Sequence, residues 1–137
     1  LDLLFTAVAP GLDSQARIDG VTFALTRSNG NILGAVKDDT IQLHVGGELV
    51  GSNQYAIGNW PDVLTEKSYG GAGNVWGLSA PARQLTDPTM RVRIIAASTG
   101  EGQAQPRIDG ATLTIAYAAA SVLAVPGLGA GLTGIGM

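Results

Sequence analysis

Few side chains in this sequence are of a type that does chemistry, and their spacing limits each of them. His44 is the single histidine, set between Leu43 and Val45 in an alternating run that puts it opposite the apolar face. A catalytic triad needs an oriented base beside a nucleophile on a sharp turn, and the serines here lie in turn segments without an elbow motif. Asp38 and Asp39, with Asp62 or Asp87, are the oxygen donors a calcium ion would take, but they lack the spacing of a calcium loop. Capping of turns is the expectation for these aspartates. Glycoside hydrolysis needs two facing carboxylates, and the 11 acidic residues single out no such pair. There is no cysteine, which excludes disulfides and thiolate-bound metal. The expectation is a protein that is not an enzyme and uses no cofactor or metal.

"SYGGAGNVWGL" (68–78) is the other stretch that invites a chemical reading. A phosphate loop needs a lysine followed by Ser or Thr after its glycines, and a dinucleotide fingerprint needs a strand before and a helix after. Neither is present. Gly70, Gly71, Gly73 and Gly77 are expected to allow tight turns, with Trp76 plugging one end of a core.

The elements that would carry these residues are strands. In 17–27, Val21, Phe23 and Leu25 alternate with Thr22, Ala24 and Thr26. The run 38–50 repeats this through Ile41, Leu43 and Val45, then meets Gly46-Gly47, a hairpin signal before a short return strand. Residues 89–98 put Met90, Val92, Ile94 and Ala96 on one face and Arg91 and Arg93 on the other. The arginines then face solvent or acidic groups of a neighbouring subunit. Residues 107–117 alternate through Leu113, Ile115 and Tyr117, the first eight residues read as a weaker strand, and 54–57 and 64–68 add two short ones. No long helical period intervenes. The pattern predicts an all-β, antiparallel, jelly-roll-like β-sandwich of seven to eight strands over 1–117.

Arg-Ile-Asp-Gly occurs twice, at 17–20 and 107–110, each time followed by the same alternation. Two copies 90 residues apart make no solenoid. The pair is expected to do similar work in two strands, with Asp19 and Asp109 receiving backbone N–H groups where the strands begin. Gly20 and Gly110 would allow a bulge or a close backbone approach.

The chain has 137 residues, a net charge of −3, and only 14% Asp, Glu, Lys and Arg. That suits one domain and gives no reason to expect nucleic acid or an anionic membrane as partner. Sparse charge fits either a surface covered by other subunits or a surface of Ser, Thr, Gly and Asn. The last twenty residues carry no charge at all, and Pro126 with five glycines argues against a membrane-spanning helix. Residues 118–137 are expected to form an extended arm in which Leu123, Val125, Leu128, Leu132, Ile135 and Met137 are buried on another subunit; the alternative is that the arm folds back over its own sheet. No charged segment precedes the apolar start, so no signal peptide is expected.

The order of pieces resembles a group of bacteriophage virion proteins built on β-sandwich domains. The matching segments are "RIDGVTFAL" (17–25), "DTIQLHVGGELVGSN" (39–53), "NWP" (59–61), "YGGAGNVWGL" (69–78), "MRVRIIA" (90–96) and "RIDGATLTIAY" (107–117). The sequence departs from the group before Arg91, where Phe-Gly is usual, and after Tyr117, where paired tyrosines are usual; the tail is outside the pattern. The resemblance implies a structural virion protein on the particle surface, a capsid cement or decoration protein. It would contact its own copies, as a trimer, and the major capsid protein or neighbouring virion proteins. The alternative is a tail or fibre component binding a host glycan, with Trp60, Tyr55 and Tyr69 exposed as stacking surfaces.

Overall fold

The computed structural model describes residues 1–7, 11–30, 34–100 and 105–118. It is all-β apart from one helical turn. The elements are β1 (Asp2–Thr6), β2 (Arg17–Asn29), β3 (Gly34–Val45), β4 (Glu48–Val50), β5 (Thr65–Gly71), α1 (Pro81–Leu85), β6 (Arg91–Gly100) and β7 (Pro106–Ala118). They form two antiparallel sheets, one in the order β1-β6-β3-β4 and one in the order β5-β2-β7.

The period-2 patterns bring the sheets together. Val21, Phe23 and Leu25 of β2 pack with Tyr69 of β5 against Ile41 and Leu43 of β3 and Val92 and Ile94 of β6. Trp76, Leu85 and Met90 close the same core. Phe5 of β1 meets Phe23 edge-on, with ring centroids 5.4 Å apart, so the core spans both sheets. Gly46 and Gly47 have φ of 62° and 87° and join Val45 to Glu48 in a two-residue hairpin whose twist matches the strands. Helix α1 starts on Pro81 and turns Ala82 and Leu85 inward. One turn is too short to leave a helical period in the sequence.

The repeated Arg-Ile-Asp-Gly has a geometric meaning. Its two copies lie on paired strands, β2 and β7, related by a local two-fold axis through Phe23↔Leu113. Exchanging the strands turns Val21↔Ile115 into Leu25↔Ala111, and Arg17↔Ala118 into Ser28↔Arg107. The register shifts on each side of this axis leave Asp19 and Asp109 as the extra residues of two symmetry-related bulges. Asp19 takes its hydrogen bonds from the Arg17 guanidinium, at 3.0 and 3.5 Å, and not from backbone N–H groups as the sequence suggested. The two glycines differ. A Cβ on Gly20 would lie 2.3 Å from the backbone of Gly71 and Ala72, whereas one on Gly110 would meet nothing within 4 Å.

Residues 54–57 are not a strand. The loop from Gly51 to Leu64 runs beside β3 and is tied there piecemeal: Asn53 Oδ1 accepts from Ile41 N at 2.9 Å, Gln54 N donates to the Ile41 carbonyl at 2.8 Å, and Trp60 N donates to the Val36 carbonyl at 2.7 Å. An asparagine side chain stands in for ladder bonds, which alternation cannot reveal.

Candidate functional site

The glycine-rich loop is closed on itself and on β2. At Gly70, φ is 79° and a Cβ would lie 2.2 Å from the Val21 carbonyl oxygen and 2.3 Å from the Trp76 indole nitrogen. This close approach lets the buried indole N–H donate to the Val21 carbonyl at 2.8 Å. Trp76 itself has φ of 57°, a left-handed conformation rare for a bulky residue. It is held there by its buried ring and by Asn74 Oδ1, which accepts from Trp76 N at 2.8 Å. Gly71 starts the turn to Asn74, whose N–H donates to the Gly71 carbonyl at 3.1 Å. Gly77, at φ 64°, passes against Ser52, while Gly73 would admit a Cβ freely.

A second cluster is buried, charged and absent from the sequence reading. Asp38 Oδ1 accepts from Trp60 Nε1 at 2.8 Å and from the Tyr69 hydroxyl at 3.0 Å; Oδ2 accepts from Ala56 N at 2.9 Å. The Arg27 guanidinium, only 7% exposed, lies 5.1 Å from the Trp60 ring centroid and 6.0 Å from that of Tyr69. Burial pushes the Tyr69 hydroxyl well above its ordinary pKa; the nearby Asp38 carboxylate adds to this and Arg27 opposes it. Among the described residues Nε and Nη1 of Arg27 meet no hydrogen-bond partner. The cluster is a cation over two aromatic faces whose polar atoms both donate to one carboxylate, itself committed to three donors. It holds the end of the sandwich shut around Val36 and Ala96.

This arrangement corrects two expectations. Asp38 does not cap a turn: it sits within β3 and points into the core. Trp60 and Tyr69 are not exposed stacking surfaces but buried residues; of the three aromatic side chains, only Tyr55 is exposed. Asp87 does cap a turn, accepting from the backbone N–H and hydroxyl of Thr89 at 2.8 and 2.6 Å, and these bonds hold its pKa below the ordinary carboxylate value. Asp39 is the extra residue of the β3 bulge and accepts from the Thr40 hydroxyl at 2.8 Å.

His44 lies half-buried across from Arg91 and Leu49. Arg93 finds its partner within the chain, donating to Asp2 Oδ1 at 3.1 Å and Oδ2 at 2.7 Å; the guanidinium lowers the Asp2 pKa. Arg91 donates to the carbonyls of Met90 and Pro88 at 2.8 and 3.2 Å. Among the described residues no three of His, Asp and Glu come together as metal ligands, and no helix is long and apolar enough to cross a membrane.

Apolar surface is the other feature. The loop tied to Asp38 holds out Tyr55, Ile57, Val63 and Leu64, with Ile57 96% and Val63 71% exposed. A groove of about 370 Å³ lies between β1 and β7, lined by Leu3, Phe5, Ile94, Ile108 and Ala111, with Asp109 as its one carboxylate. Two further grooves of about 390 Å³ contain one carboxylate, Asp87, and none, so no facing acid pair lines any of the three. The arm residues Leu123, Val125, Leu128, Leu132, Ile135 and Met137 lie outside the described residues. Compared with known proteins, the chain matches no family model, no curated protein and no solved structure.

Proposed function

We propose that the protein is a structural subunit of a virus particle, a jelly-roll-like cement or decoration protein that strengthens a capsid by burying surface between neighbours. The observation that carries this reading is apolar surface held out on an ordered frame. Ile57 projects between Ala56 and Trp60, which the Asp38 and Val36 bonds hold, and Val63 projects two residues after Pro61, whose carbonyl accepts from Asn29 N at 2.7 Å. A rigid apolar projection loses little entropy when covered, which favours a lasting contact. Sparse charge supports the same reading, because permanent interfaces are more apolar than transient ones.

The sequence of segments resembling phage virion domains supplies the setting. The chain's repeated passage between the two sheets supports the jelly-roll-like form. In this proposal the neighbours are further copies, arranged as a trimer at a local three-fold position, and the major capsid protein. The glycan-binding alternative is weakened by the burial of Trp60 and Tyr69.

The test is cryo-electron microscopy of particles carrying the whole chain, the Ile57→Ser/Val63→Ser variant, or the chain without residues 118–137, followed by heating to genome release. Lower occupancy and a lower release temperature in the variants support the cement reading. Unchanged occupancy and release with reduced attachment to cells would place the protein in the adsorption apparatus and sink it.

A further inference from the structure

Among the described residues the sandwich is one strand short on one side. The first sheet has four described strands and the second three, and β1 faces β7 across the groove. Leu3 stands opposite Ile94 and shares its inward face, yet it is 41% exposed while Ile94 is buried. Across the groove, Ile108, Ala111, Leu113 and Ile115 of β7 are only half-buried, although Val21, Phe23 and Leu25, opposite the last three on β2, are fully buried. Side chains aimed at a core and left half wet on both sides of one gap mark a missing layer.

The edge facing that gap is open to pairing. Among the described residues β7 has a neighbour only in β2, so half of its N–H and C=O groups point away from the described sheet. Edge strands are ordinarily guarded by charge, proline or a bulge. The bulge at Asp109 guards one end of β7, but Ala111–Ala118 holds neither a charged residue nor a proline.

We propose that this groove is the seat of the C-terminal segment of a second copy of the chain, which adds a strand around Ser121–Val125 to the free edge of β7. The inference rests on the structural-subunit reading and names the receptor for its arm. "SVLAV" is uncharged and carries β-branched Val122 and Val125, the composition a half-buried strand uses. The donor is a second copy because of the turn chemistry after β7. To fold back on its own strand the chain must reverse within Ala118-Ala119-Ala120-Ser121, which contains none of the Gly, Asn, Asp or Pro of tight hairpins. The first such residues are Pro126 and Gly127. A chain extended as far as Pro126 has travelled about 26 Å beyond β7, away from Ile108 and Ala111.

The chain has no cysteine, so single cysteines report contacts cleanly. One full-length variant carries Ala111→Cys, and others carry Val122→Cys, Leu123→Cys, Ala124→Cys or Val125→Cys. Mixing the first with each of the others under mild oxidation is expected to give covalent heterodimers whose yield alternates along the tail with the period of a strand. Leu3→Lys in the groove-bearing partner should cut that yield several-fold while its thermal midpoint stays close to that of the parent. A second set of variants carries Ala111→Cys together with one tail cysteine in the same chain. Three results overturn the proposal: a cross-link that forms only within one molecule of this second set, independent of concentration; disulfide-linked homodimers of the Ala111→Cys variant that persist without residues 119–137; or no cross-link at any tail position. If particles keep their full complement of the chain while no tail cross-link forms, the groove assignment fails and the cement reading survives through other contacts.

Discussion

The Trp60 indole N–H donates to Asp38 Oδ1 at 2.8 Å, and this bond pins the loop that displays Ile57 and Val63. A charged group buried in the sandwich thus fixes an apolar surface outside it. Asp38→Ala leaves the Trp60 and Ala56 N–H groups and the Tyr69 hydroxyl without their acceptor, and Arg27 without a nearby carboxylate. The expected loss is about 3 kcal/mol or more in urea unfolding. Tyr69→Phe removes one donor and should cost about 1 kcal/mol.

Tyr69 also sets an alkaline limit. Its folded pKa is raised above the ordinary value of 10.0, so the folded chain keeps this proton when the unfolded chain has lost it. Stability from this group is complete below pH 10 and declines as pH rises from there through the folded pKa. In urea midpoints measured between pH 8 and pH 12, Tyr69→Phe should flatten the decline above pH 10; an unchanged slope would show that other groups cause it.

Glycine substitutions separate close approach from mere presence in the loop. Gly70→Ala places a methyl against the Val21 carbonyl and the Trp76 indole at a positive φ, and should cost about 2–4 kcal/mol. Gly73→Ala meets open space and should change stability by less than about 0.5 kcal/mol. Thermal midpoints of the two variants provide the comparison.

The two Arg-Ile-Asp-Gly copies make a sharper pair. Gly20→Ala drives a methyl into the Gly71–Ala72 backbone, while Gly110→Ala, its two-fold mate, meets nothing. Chemical denaturation should find the first strongly destabilising and the second within about 0.5 kcal/mol of the parent. Equal losses would mean that the bulge alone, rather than its neighbour, demands glycine.

Ile57→Ser and Val63→Ser should leave folding free energy within about 0.5 kcal/mol of the parent, because neither side chain is packed within the chain. Their effect should appear in particle occupancy instead. A large loss of stability would mean that these residues pack within the chain and are not held out for a partner.

Alternation alone located the cores of β2, β3, β6 and β7 and the Gly46-Gly47 hairpin, because a strand's period and a two-residue turn are local properties. The sequence also made the Arg-Ile-Asp-Gly echo visible, but only strand pairing shows it as a two-fold axis through Phe23 and Leu113. Asp38 lay beyond local reading: counting back from Ile41 in steps of two puts Asp39 inside, and the bulge at Asp39 turns Asp38 inward instead. Trp60 in its loop and Tyr69 on β5 follow from it, since an aromatic side chain with a polar atom is buried or exposed according to what awaits that atom across the fold. Local period decided which residues form strands. The partner each polar group met across the sandwich, and the edge position of β7 among the described strands, were decided only by the packing of one sheet on the other.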